Sequence, residues 1–290
     1  MRNRILTDKH IEAFAKWLNL EEKSNATREK YIRDIRRFKE FAADEEVSKG
    51  VAAQWKNDLM ERGYAVRSIN SMLASLNSLL MFLGWEDCKV KNIRLQYQTF
   101  SPEEKELSRA EYQRLIQASE GDEQTNLLLQ TICATGIRVS ELRYFTVDAI
   151  KQGQVIVNCK GKIRTILIPG KLKRMLLHYA KRLKLRFGPV FRNGKGDPLD
   201  RSVIWRRMKG LCQAARVQAS KVFPYNLRKL FARTYYGIGK DIAQLADVLG
   251  HSSINTTRIY IMTSGAEHRQ NMERLGLVTW KKHGPKNKGT

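Results

Sequence analysis

The chain has 290 residues, with 53 lysines and arginines against 29 aspartates and glutamates, a formal net charge of +24 at neutral pH. That length accommodates two domains, each large enough to bury a core without disulfide or metal staples, and 42% hydrophobic residues is too many for a disordered basic chain. The sequence lacks an apolar run of the ~18 residues a membrane span needs. Its first residues also lack an apolar signal core, so the expectation is a cytoplasmic protein with an acidic partner, nucleic acid first among the choices.

Cys88, Cys133, Cys159 and Cys212 stand 45, 26 and 53 residues apart, and the five histidines are scattered. This spacing argues against structural zinc and against a catalytic metal, and the expectation is reduced, mostly packed thiols with no cofactor. The charge is uneven. Residues 1–100 carry 18 basic and 14 acidic side chains, whereas residues 101–290 carry 35 and 15. The second part is therefore expected to hold the main polyanion-binding surface, although a solubilising surface or a structural nucleic-acid protein fits the charge alone.

In chain order, Ile11, Phe14, Ala15 and Leu18 recur at helical spacing. A second helix starts after Ser24 or Asn25 and buries Tyr31, Ile35, Phe38 and Ala42, leaving Arg33, Arg36 and Arg37 on its other face. A third runs from about Ser48 to Glu61, ended by Gly63, and a fourth from about Val66 to Phe82. The fourth presents Arg67, Ser68, Asn70, Ser71, Ser75 and Asn77, a surface suited to a phosphate backbone or to plain solvation. Residues 1–95 thus read as a helical domain and 96–107, with Pro102, as a linker.

The second domain, 108–275, opens with a helix capped by Ser108 and Glu111. A helix over about 123–134 follows, then a turn over 135–142 that re-enters helix. Residues 154–159 and 163–168 form a β-hairpin around Lys160, Gly161 and Lys162. Helices are expected over about 171–185, 201–215, 226–236, 240–248, 253–262 and 266–274, and 276–290 is a basic tail. The fold class is mainly α with a small antiparallel β-sheet.

Several cationic residues in this domain stand in turn-flanked or apolar settings. Arg138 follows Thr-Gly in an apolar stretch, its donors suited either to a phosphate or to Glu141 three residues on. Arg228 sits among Phe223, Leu227, Leu230 and Phe231 and needs an anionic or carboxylate partner. Lys160 or Lys162 marks the hairpin, and His251 precedes a helix that carries Tyr260. Each is open to a structural reading; together they point to phosphoryl transfer on DNA without metal.

Four segments carry a family resemblance. ATGIRVSEL (134–142), CKGKIRTILIP (159–169), YNLRKLFA (225–232) and LGHSSINTTRIY (249–260) resemble, in order, the boxes of the tyrosine recombinases, the phage integrase family. In size the chain is most similar to Xer-type resolvases and short integrases of bacterial mobile elements. The resemblance implies a core-binding domain and a catalytic domain closing on DNA as a C-shaped clamp. It implies Tyr260 as nucleophile forming a 3′-phosphotyrosyl bond, Arg138 and Arg228 as phosphate clamps, and Lys160 as general acid with Lys162 in reserve. His251 would bind the phosphate, with Tyr225 in place of the usual histidine and Lys229 where a second histidine often stands. A phenol titrates near 10, so Tyr225 is a poor proton shuttle but a serviceable hydrogen-bond donor.

Arg33, Arg36, Arg37, Arg67, Ser71, Lys162, Arg164, Arg206 and Lys229 are the expected DNA contacts. The implied partners are double-stranded DNA with paired, inverted half-sites, a homotetramer coupled by the C-terminal helix, and an accessory directionality factor. The implied activity is strand exchange through a Holliday junction, for integration or excision of a mobile element. Dimer resolution and a regulator that has lost cleavage are the alternatives.

Overall fold

The computed structural model describes residues 4–94, 106–159, 162–262 and 265–278. By packing, the chain divides into two compact units, Met1–Tyr97 and Gln98–Thr290. Most of the expected linker, and the tail from residue 279 on, lie outside the described residues.

The first unit is built from α1 (Asp8–Leu20), α2 (Asn25–Ala42), α3 (Lys49–Glu61) and α4 (Val66–Phe82). The hydroxyls of Thr7, Ser24 and Ser48 accept from the backbone N–H three residues on, satisfying a donor that each helix start leaves open. Phe14, Leu18, Ile35, Phe38, Trp55, Ile69, Leu73 and Leu76 form the core, with Phe38 and Trp55 packed edge to face at 5.1 Å. One carboxylate, Asp34, is buried there, held by Lys30 at 2.8 Å and Ser75 Oγ at 3.0 Å. Three polar residues of α4 turn out to be structural. Ser75 serves Asp34, Asn77 brackets Val90 through its N–H and carbonyl, and Asn70 does the same to Ile93.

In the second unit α5 (Arg109–Ala118) starts with the expected Ser108–Glu111 capping box, and α6 (Glu123–Thr135) ends on Gly136. A 3-10 turn over Val139–Tyr144 and the short α7 (Val147–Gln152) lead into β1 (Gln154–Cys159) and β2 (Lys162–Leu167). The two strands pair antiparallel, Gln154 opposite Leu167 and Cys159 opposite Lys162. Then follow α8 (Gly170–Arg182), α9 (Arg201–Gly210), α10 (Cys212–Ala215), α11 (Pro224–Gly239), α12 (Ile242–Leu249), α13 (Ile254–Ile261) and α14 (Gly265–Glu273). Helix α6 is the axis of this unit. Leu127, Leu128, Leu129 and Ile132 are all buried, contacting layers on more than one side.

Two expectations are corrected. Helix α7 escaped the periodicity reading because six residues span under two turns, although its Thr146 cap and its left-handed Gly153 end are both visible in the sequence. The helix expected over 201–215 is two helices, broken after Gly210, the weakest helix former in the stretch.

Trp55 is 2% exposed. Trp55→Ala is expected to destabilise the first unit by about 3–5 kcal/mol, the usual cost of emptying so large a buried site. Urea unfolding of the full chain followed by circular dichroism measures it.

Candidate active site

The chain makes two left-handed turns where three segments converge. Gly136 ends α6 with φ +61°, and a Cβ there would lie 2.3 Å from the Phe231 ring. Gly250 ends α12 with φ +63°, and a Cβ there would lie 2.4 Å from Arg164 Cδ. Glycine answers both demands at once, positive φ and close approach.

Between these turns Arg228, 3% exposed on α11, extends its guanidinium. It donates to the Gly136 carbonyl, to the Leu249 carbonyl at 2.7 Å, and meets His251 Nε2 at 3.0 Å. The two carbonyls are the C-terminal ends of α6 and α12, where the helix dipoles concentrate negative charge, so one cation caps both helices. Burial lowers the Arg228 pKa to about 10, with Arg138 pushing the same way, and it stays charged at neutral pH.

Arg138 leaves the turn after Gly136 half-exposed. Its N–H and guanidinium both donate to Glu141, at 2.9 and 3.0 Å, and its other terminal nitrogen reaches the Gly250 carbonyl at 3.2 Å. Glu141, 2% exposed, also accepts from Arg164 at 2.5 Å. Burial alone would raise the Glu141 pKa; the Arg138 N–H and the charges of Arg164 and Arg138 outweigh it and hold the carboxyl below its ordinary range. Of its two readings the structure shows the pairing with Glu141, and the Arg138 side chain keeps 38% exposure beside it.

Helix α13 brings the remaining groups. Thr257 and Tyr260, three residues apart, share one face. Thr257 Oγ1 meets His251 Nδ1 at 2.9 Å, and the Tyr260 ring lies 5.1 Å from His251 and 5.0 Å from Tyr225. The Arg228 guanidinium carbon is 5.7 Å from the centre of the Tyr260 ring. Tyr225 stacks on Phe223 at 6.2 Å and is 41% exposed, the outermost ring of the group. Burial lowers the His251 pKa to about 4, aided by the charges of Arg228, Arg138 and Arg164, so the imidazole is neutral at pH 7.

Arg138, Arg228, His251, Tyr225 and Tyr260 thus form one cluster although 122 positions separate the first from the last. Lys160 lies outside the described residues, and Lys162 opens β2. Two expected DNA contacts are turned inward. Lys229 is 8% exposed and donates to Glu106 at 2.6 Å, with Arg233 on the same carboxylate. Arg164 is held by Glu141 and by the Val248 carbonyl at 2.8 Å. Neither ammonium nor guanidinium faces outward, since each is drawn to a buried carboxylate. Arg33, Arg36, Arg37, Arg67, Ser71 and Arg206 are exposed on α2, α4 and α9. Thr257 escaped the sequence reading; its only signal there is the three-residue offset from Tyr260.

The comparisons with known proteins fit this geometry. Residues 105–267 match the phage integrase family and residues 11–87 its N-terminal SAM-like domain. The chain belongs to the phage integrase family. Among its relatives, tyrosine recombinase XerA of Pyrococcus furiosus is 28% identical over 286 residues, covering 96% of this chain and 98% of the relative. Tyrosine recombinase XerD of Pseudomonas aeruginosa is 28% identical over 277 residues, covering 88% and 91%. Among solved structures, a lambda integrase dimer bound to a core site shares the fold at TM-score 0.72 and 18% identity, over 97% of this chain and 99% of that one. The Tn1549 transposon integrase bound to transposon right-end DNA aligns at TM-score 0.67 and 17% identity, over 92% and 99%.

His251 is expected to titrate near pH 4 in the folded chain, against 6.5 unfolded. Its contribution to stability is full above about 6.5 and is lost as the pH falls towards 4, because the unfolded chain binds the proton first. Imidazole resonances followed by NMR across pH 3.5–8 measure the titration directly, and a His251 midpoint above 6 would contradict the assigned environment.

Proposed function

We propose that this chain is a site-specific DNA recombinase that cuts and rejoins strands through Tyr260. The observation that carries the reading is the packing of the Tyr260 ring against His251, Tyr225 and the Arg228 guanidinium, with Arg138 beside them. A tyrosine surrounded by fixed guanidinium donors is what in-line attack on a phosphodiester requires, since negative charge grows on the non-bridging oxygens as the bond forms.

The roles follow from charge and reach. As the Tyr260 oxygen bonds to phosphorus its proton passes to solvent water, and the bond from phosphorus to the 5′-oxygen breaks. Lys160 supplies a proton to that departing oxygen. Arg138 and Arg228 hold the non-bridging oxygens, and neutral His251 accepts from Arg228 through Nε2, fixing that guanidinium without adding charge. Tyr225 donates its phenol proton towards a phosphate oxygen, in the place of an imidazole. The phosphotyrosyl link conserves the energy of the diester, so a partner strand's 5′-hydroxyl reverses the step and no nucleotide is consumed. Tyr260 belongs to the same cluster as its own arginines, which supports attack within one protomer.

A tetramer on paired half-sites completes two rounds of exchange through a Holliday junction. Apolar side chains at the end of the described chain support coupling between protomers. Met272, Leu275, Leu277 and Val278 are 61–93% exposed on and after α14, and burying them needs another surface. The DNA served is a mobile element, with resolution of dimers as the second duty of the same chemistry, and an accessory factor sets direction. The setting is cytoplasmic; among the described residues no helix is long and apolar enough to cross a membrane.

On a duplex selected from a random library and nicked beside the cleavage position, wild type is expected to give a covalent adduct on a denaturing gel, and Tyr260→Phe none. Arg228→Lys should lower adduct formation about 10²–10³-fold, as loss of a preorganised donor does elsewhere, and Tyr225→Phe about tenfold, with binding retained in both. Tight binding by wild type without adduct from pH 6 to 9 would support a regulator instead.

A further inference from the structure

Arg164 was expected on DNA, yet its side chain is 13% exposed, against 38% for Arg138 on the same carboxylate. It projects from β2 and ties three segments that are distant in sequence. One terminal nitrogen donates to Glu141 at 2.5 Å, in the turn that carries Arg138. The other donates to the Val248 carbonyl at 2.8 Å, in the last turn of α12, three residues before His251. Its aliphatic stem fills the space over Gly250 that any Cβ would occupy.

The charges explain what this contact does. Glu141 is buried, ionised, and the immediate neighbour of Arg138. Facing Arg138 alone, such a carboxylate would take up that guanidinium as a closed pair, and a buried pair of this kind is costly to open. With Arg164 on its other oxygen, a single negative charge is shared by two cations. Arg138 then keeps one nitrogen on Glu141 and turns the other towards the Gly250 carbonyl. Among the described side chains of the cluster, three arginines, one carboxylate and a neutral His251 leave a surplus of two positive charges. A phosphodiester brings one negative charge and its pentacoordinate state two, so the surplus is matched to the state in which bonds change.

We propose that Arg164 is a positioning residue: it neutralises Glu141 from behind, so that Arg138 is free to bind a phosphoryl oxygen. The inference rests on the recombinase reading for its meaning in catalysis, but the charge relation itself is open to test without DNA cleavage.

The test uses the full chain as wild type, Arg164→Gln, Glu141→Gln and the double variant. Two assays are run: orthovanadate affinity by calorimetry, as a probe of the anion site, and adduct formation on the nicked duplex. Arg164→Gln leaves Glu141 to capture Arg138, and both vanadate affinity and adduct rate should fall about a hundredfold, the cost of losing one oxyanion donor. Glu141→Gln removes the captor, so the double variant should recover about tenfold over Arg164→Gln in both assays. The salt slope of duplex binding should be unchanged in Arg164→Gln, because the residue makes no phosphate contact.

Losses that multiply in the double variant would overturn the proposal, as would a salt slope smaller by about one, the mark of a direct phosphate contact. If wild type forms no adduct but vanadate binding follows the pattern above, the recombinase reading falls and the role of Arg164 stands. Should Arg164→Gln not fold, Arg164→Lys replaces it: the charge stays, so vanadate affinity is expected within about threefold of wild type, and a hundredfold loss would refute the charge mechanism.

Discussion

The buried guanidinium of Arg228 is the constraint around which the second unit is arranged. Leaving an arginine dry is expensive unless its donors find acceptors, and here the acceptors are the carbonyl ends of α6 and α12 together with His251. Those carbonyls become available only because each helix stops on a left-handed glycine. The glycines in turn permit the close approach of Phe231 at one end and Arg164 at the other. Arg228 therefore holds two helix ends together, and the role proposed for it starts from a guanidinium already held by three partners.

The electrostatics follow from the same crowding. Three arginines close together oppose one another, and His251, already discouraged by burial from carrying charge, stays neutral beside them. Glu141 answers by keeping its charge. One imidazole and one carboxylate, both shifted towards the form that suits a cationic setting, leave a site whose field points at an incoming anion. Tyr225, at the exposed edge of the group, adds a phenol hydroxyl to this setting and no positive charge.

Much of this was legible in the sequence, for identifiable reasons. The four helices of the first unit follow apolar spacing and serine or threonine caps, signals that act within a turn or two. Four ordered boxes singled out Arg138, Arg228, His251 and Tyr260, and the fold brings these four side chains together. What the sequence hid is long-range partnership. Lys229 and Arg164 look like DNA contacts because a basic residue in a basic chain has no visible acid; their carboxylates lie 123 and 23 positions away. Asn70 and Asn77 looked like a polar surface and are clamps on the segment after α4, an assignment that needs the segment's path. Helix α7 was too short for a period to develop.

The Lys229–Glu106 pair has a consequence for how this site can change by descent. The box resembles one in which histidine often occupies the position of Lys229, yet here that position is an ammonium sealed against a carboxylate. A lone change of Lys229 to histidine would shorten the reach to Glu106 and leave that buried acid leaning on Arg233. A lone change of Glu106 would remove the carboxylate that both cations share. Neither change is expected to be neutral alone, so a substitution at one position calls for a compensating one at the other.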